Sequence, residues 1–306
     1  MIKSIVKKIE TFSGSEAIKE IKQYAKKGAS EGLYDPSPRR LRVPLELVTD
    51  LLFGNVGDVV VEGADNLFKA TKKTEENKGV IFATSHLTDV DVSTVASVVS
   101  GFRRIGMTVA STNMDLWHQR IPYELVGMDN FFQVPYGRDP SAEKGAIDNK
   151  YALPFNGDDY LGLQEKITDS GLSVITAAHN PMSNIGIKND GELPEKAGKL
   201  APHLSLATGA TIIPVLMQVE GQKRNPDQFN DNAIHLKQYL GEKTVRLVFG
   251  EIIKPSPDEV EAYANVSHEA SYSKAAREEQ CRILEAFGGK AILGYMRDKY
   301  DPVLAA

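Results

Sequence analysis

At 306 residues, 42% hydrophobic and 25% charged, the chain has an ordinary globular composition. It has room for one large α/β domain or two smaller ones, with a substantial core in either case. Its net charge of −5 argues against non-specific nucleic-acid binding, and its one cysteine, Cys281, excludes an intramolecular disulfide and a cysteine-based metal cluster. No apolar run reaches the length of a membrane-spanning helix, and MIKSIVKKIETF at the start is too short in apolar residues for a secretory signal. The expectation is a cytoplasmic protein whose contact with membrane, where there is any, is peripheral and on the inner face.

Residues 1–28 read as two helical pieces separated by SGS at 13–15. Ile2, Ile5, Val6 and Ile9 recur at helical spacing, as do Ile18, Ile21 and Ala25. Lysines 3, 7, 8, 19, 22, 26 and 27 lie among them. Such helices suit an anionic membrane surface through lysines and isoleucines together, or they pack on the rest of the domain. Docking on anionic membrane is the favoured expectation of the two. YDPSPRR at 34–40 reads as a linker, because its prolines interrupt regular structure. Residues 1–45 are accordingly an amphipathic helical segment with its linker, and residues 46–306 an α/β domain with C-terminal helices.

From about residue 55 the texture changes. DVVVEG, GVIFATS, IGMTVAS, NFFQVP, LSVITAA, TIIPVLMQV and VRLVFGEII are short apolar runs rich in β-branched residues, and they read as strands. Helical patterns at 89–102, 114–126, 158–169 and 197–208 fall between them. That alternation predicts an α/β fold with a mixed, largely parallel sheet, crossover helices and helical additions at both ends. Several runs are apolar throughout, as strands covered on both faces are. Residues 222–243 form a polar excursion, and 257–300 turn helical again.

The stretch SHLTDVD at 85–91 joins a buried strand to a helix. Thr88 and Asp91 have the spacing of a capping box, and Asp89 and Asp91 suit a helix N-terminus electrostatically. Capping explains the acids but not His86, which stands at the carboxyl end of a strand, where open α/β sheets bind ligands. An aspartate in the first turn can fix the tautomer of such a histidine, which can then take a proton from an attacking hydroxyl. The chain has no G-x-S-x-G elbow, no P-loop and no G-x-G-x-x-G fingerprint. His118, His203, His235 and His268 lack metal-ligand spacing, and no metal is expected.

His86 and Asp91, separated by four residues after an apolar strand, resemble the catalytic signature of the glycerolipid acyltransferases, the glycerol-phosphate and lysophosphatidate acyltransferase family. Further segments follow in that family's order. VVVEGADNL (59–67) resembles its lead-in strand and turn, and GMDNFFQVPYGRD (127–139) its second block, with an arginine at Arg138. KAGKLAPHLSLATGATIIPV (196–215) is similar to its helix-to-strand block, and VRLVFGEII (245–253) to its last core strand. The third block departs. Where the family has Phe-Pro-Glu-Gly and then an arginine, this chain has AAHNPMSN from 177, and Ser85 stands where an asparagine is frequent.

The resemblance implies an acyltransferase with His86 as general base and Asp91 orienting it. It implies acyl-CoA or acyl carrier protein as a thioester donor substrate, with no cofactor, and a lipid-precursor hydroxyl as acceptor. Arg138 becomes an anion-binding residue, with Lys196 and His179 as further substrate-binding candidates. The missing arginine argues against glycerol 3-phosphate or lysophosphatidate as that acceptor. A silent lipid-binding or interaction module and an acyl-thioester hydrolase are the competing readings.

Overall fold

The computed structural model describes residues 16–53, 58–73, 78–85, 91–110, 130–134, 158–178, 197–221, 243–270 and 273–305. All of the expected strands form. They are β1 (Asp58–Glu62), β2 (Val80–Thr84), β3 (Ile105–Ala110), β4 (Phe131–Val134), β5 (Ser173–Ala177), β6 (Thr211–Val219) and β7 (Thr244–Phe249). They make a 7-stranded sheet in the order β1-β7-β6-β2-β5-β3-β4. Every pairing is parallel except β6 with β7. The fold is α/β, with a mixed, mostly parallel sheet and helices at both ends.

Side chains alternate between two cores, as the pleat requires. Val80 and Phe82 of β2, Ile213, Val215 and Met217 of β6, and Val245, Leu247 and Phe249 of β7 enter one apolar cluster. Ile81 and Ala83, Ile212 and Leu216, and Val248 enter the other. The first cluster is closed by α1 (Glu16–Ser30), α2 (Arg39–Phe53), α3 (Ala64–Thr71) and α4 (Asp91–Val99). The second is closed by α5 (Asp158–Asp169), α6 (Leu200–Thr208) and, among the C-terminal helices, by residues from Phe287 to Tyr300. The C-terminal helices are α7 (Pro257–Ala270), α8 (Lys274–Gly288), a π-helical turn at Gly289–Leu293, α9 (Gly294–Lys299) and α10 (Pro302–Ala305). Ser256 and Glu259 start α7 as a reciprocal capping box: the Glu259 N–H donates to Ser256 Oγ at 3.2 Å, and the Ser256 N–H to Glu259 Oε2 at 2.7 Å.

The N-terminal segment differs from expectation. The apolar stripe of α1, Ala17, Ile18, Ile21 and Ala25, is buried in the first core, so it faces protein where an anionic membrane surface was favoured. Tyr24 of this helix packs at a tilt on Phe68 of α3, and Tyr34 just beyond it packs edge-on against Phe102, so aromatic area of the domain covers the segment. The stretch before α2 is docked. The Asp35 N–H donates to the Phe102 carbonyl at 3.1 Å and the Ser37 N–H to the Ser100 carbonyl at 2.9 Å. Ser37 Oγ donates to the Arg103 carbonyl and accepts from the Ile105 N–H. The helix α2 begins directly after, carries Pro44, and buries Leu41 and Leu45. The segment boundary expected at residue 45 falls inside it, and the first core is continuous across that point. The expected helical pieces over 1–15 and 114–126 and the excursion over 222–242 lie outside the described residues.

The G-x-x-N-L turn after β1 has a packing origin. Gly63 has φ 67°, and a Cβ there would sit 2.0 Å from the Phe249 carbonyl oxygen. Asn66 Nδ2 donates to that same oxygen at 3.2 Å, and Leu67 is buried. Glycine admits the carbonyl and asparagine satisfies it.

Candidate active site

The two middle strands send the chain in opposite directions. From β2 the chain goes through α4, on the first core, to β3, passing over β5. From β5 it goes through α6, on the second core, to β6, passing over β2. The neighbours β2 and β5 therefore form a topological switch point, and the crevice at their carboxyl ends is where open α/β sheets bind ligands.

The ends of these strands are tied together. Thr84 pairs with Ala177 on one side and Val215 on the other, while β6 runs on to Val219. The Ala178 N–H donates to the Thr84 carbonyl at 2.6 Å, and the Gly198 N–H to the Ala178 carbonyl at 2.7 Å. The chain that departs after Ala178 thus returns to it, just before α6. On the other flank the Ser85 N–H donates to the Val215 carbonyl at 2.7 Å, and the Met217 N–H to Ser85 Oγ at 2.9 Å.

Asp91 opens α4 and is fully buried. Its position is electrostatically favourable, because the unpaired amides of a first turn carry partial positive charge. Burial of a carboxylate is costly unless polar groups surround it. A carboxylate that only caps a helix gains nothing from leaving water, so the complete burial of Asp91 is more than capping requires.

His86, Arg138, His179 and Lys196 lie outside the described residues. The attachment points of His86, His179 and Lys196 do not. His86 follows Ser85, His179 follows Ala178, and Lys196 precedes Ala197 next to the Gly198–Ala178 bond. Arg138 belongs to the segment leaving β4, which is parallel to β3. Of the sequence-derived site residues, Asp91 alone is described, in the first turn of the helix after β2.

A second polar cluster was not legible in the sequence. His203, on α6, is buried between helices. Its Nδ1 meets Tyr263 Oη of α7 in a short hydrogen bond, and its Nε2 lies 3.0 Å from Gln164 Nε2 of α5. Gln280 of α8 donates to Tyr263 Oη and to Ser267 Oγ, each at 3.1 Å. Burial holds the His203 imidazole down at a pKa of about 3, and desolvation pushes the Tyr263 phenol up. A neutral histidine in this setting ties four helices together. Among the described residues, no group of three or more His, Cys, Asp or Glu side chains could hold a metal ion.

No protein-family model matches the chain, and no curated protein matches its sequence. Among solved structures, the chain is similar to the 1-acyl-sn-glycerophosphate (LPA) acyltransferase PlsC from Thermotoga maritima. The two share 13% identity at a TM-score of 0.40, over 89% of this chain and 88% of that one. A likeness at that level assigns neither family nor activity.

Proposed function

We propose that the protein transfers an acyl group from a thioester donor to the hydroxyl of a lipid precursor, with His86 as general base and Asp91 as its orienting carboxylate. The observation that carries this reading is the complete burial of Asp91 beside the β2–β5 switch point, in the turn of helix that follows His86. The blocks that resemble the glycerolipid acyltransferases add support, since their described parts fall in order on β1 and α3, β4, α6 and β6, and β7.

The chemistry is direct transfer. The imidazole takes the acceptor's proton as its oxygen bonds to the thioester carbonyl carbon. The tetrahedral intermediate collapses with cleavage of the carbon–sulfur bond. The imidazolium returns the proton to the departing thiolate, and an ester remains. Asp91 holds the imidazole in one tautomer and stabilises its charged form. No protein nucleophile is required. In this reading Arg138, His179 and Lys196, on segments that leave or return to the same edge, supply contacts to donor or acceptor. Anionic groups on either substrate suit Arg138 and Lys196.

Incubation with long-chain acyl-CoA or acyl carrier protein thioester, with and without hydroxyl-bearing lipid acceptors, tests the reading. Transfer that falls about 10²–10⁴-fold in folded His86→Ala supports it. Thiol release without transfer identifies a thioester hydrolase instead. Neither product identifies a silent lipid-binding or interaction module and ends the proposal.

A further inference from the structure

The Ser85 hydroxyl occupies a place that belongs to a backbone carbonyl. In a parallel ladder, one residue donates its N–H to the neighbouring strand and accepts, through its own C=O, from the residue two positions further along that strand. Ser85 makes the first bond, to the Val215 carbonyl. The second donor, the Met217 N–H, goes to Ser85 Oγ at 2.9 Å. The Ser85 carbonyl accepts instead from the Thr84 hydroxyl at 3.2 Å. The backbone has rotated out of the ladder at this carbonyl, and the side chain keeps a buried amide satisfied. Thr84 and Ser85 are themselves fully buried, and the Ala178 N–H holds the Thr84 carbonyl from the opposite flank. The Ser85 hydroxyl therefore stands at the point where β2 leaves the ladder.

We propose that Ser85 is a positioning residue: by taking the Met217 amide in place of its own carbonyl, its hydroxyl ends β2 and aims the chain into residue 86. The catalytic consequence rests on the reading of His86 as the general base. Without the hydroxyl, the Ser85 carbonyl is the acceptor that a regular parallel ladder offers to Met217. Recapturing it extends the ladder and turns the following peptide.

The test compares Ser85→Ala, Ser85→Cys and Ser85→Thr in the full chain. Alanine removes the acceptor, cysteine keeps the shape but accepts weakly, and threonine keeps the hydroxyl. The imidazole resonance of His86, identified by its loss in His86→Ala, should move in the alanine and cysteine variants and return toward wild type in the threonine variant. Turnover should fall about 10–100-fold in the first two, as for a small misplacement of a reacting group. The KM for acyl-CoA should stay within about twofold, because donor binding is not what changes. Melting curves select the variants that fold, and either alanine or cysteine suffices. An unmoved His86 resonance in a folded variant lacking the hydroxyl overturns the proposal whatever the activity does. A displaced resonance in a protein whose wild type transfers no acyl group refutes the acyltransferase reading and leaves the positioning role standing.

Discussion

A helix cap and a catalytic partner make different demands on the Asp91 carboxylate. As a cap alone, Asp91→Asn should retain turnover and cost about 1 kcal/mol or less, since asparagine caps as well. As the partner of His86, it should lose turnover strongly with the fold intact, because the amide can no longer fix the tautomer or stabilise the imidazolium. The burial of Asp91 favours the second outcome. Melting and turnover measured on one preparation decide between them. His203 makes a different forecast. Its folded pKa is held at about 3, below the unfolded value near 6.5. Above that unfolded value it is neutral in both states and contributes no pH dependence. As pH falls from there toward 3, the unfolded chain takes up a proton that the native state refuses. Stability should drop by at most about 1.4 kcal/mol per pH unit from this group, and by no more below the folded value. Urea unfolding between pH 7 and 4 should show a shallower decline in His203→Gln than in the parent. Equal slopes would mean that the imidazole is not held neutral. Nothing in the residues near His203 announces this cluster. Its partners arrive from Gln164, Tyr263 and Gln280, and only the packing of four helices brings them together.

At the scale of elements, the strands were legible because they are short apolar runs rich in β-branched residues, most of them apolar on both faces. The helix 158–169 was legible from its period. The helix α2 was not: Pro36 and Pro38 just before it, three arginines in its first turn and Pro44 inside it outweigh the helical spacing of Leu41, Leu45, Val48 and Leu52. The fate of α1 was equally hidden, since an amphipathic helix has the same pattern whether protein or lipid covers it. Its packed stripe now predicts that Ile21→Ala costs about 2–5 kcal/mol in denaturant unfolding. Vesicle binding driven by that stripe should be absent in the parent as well as in the variant. Salt-sensitive sedimentation with anionic vesicles that disappears in folded Ile21→Ala would contradict the packing. The turn between β1 and α3 is similarly specific. In Gly63→Ala the left-handed conformation alone costs about 1–2 kcal/mol, and the crowding against the Phe249 carbonyl adds to it. Asn66→Ala should be milder, because it removes one donor and adds no clash. A melting temperature for Gly63→Ala equal to that of the parent would refute this account of the turn.

At the scale of the molecule, the acceptor is where sequence and family pattern part. The stretch AAHNPMSN has no arginine where the resembling family holds a phosphate, so glycerol 3-phosphate should be acylated weakly or not at all. Saturable, efficient acylation of that compound would return the chain to the ordinary pattern. The candidate pair could be read from local sequence alone, as a histidine after a strand and an aspartate at a helix start, and Asp91 is the member that the described residues include. The switch point could not, because strand order depends on which edges pair across long separations. The longest of these separations has its own consequence. The β1 register sets Asp58 against Thr244, so the first strand has no ladder partner until nearly the whole sheet has been synthesised. The interior face that α1, α2 and α3 cover stays incomplete for the same interval. Long-range parallel pairing slows folding, and unpaired apolar strands invite aggregation while they wait. On a ribosome, this chain must carry Val59 and Val61 unpaired through most of its elongation, and its yield should depend on chaperone capacity more than its finished stability suggests.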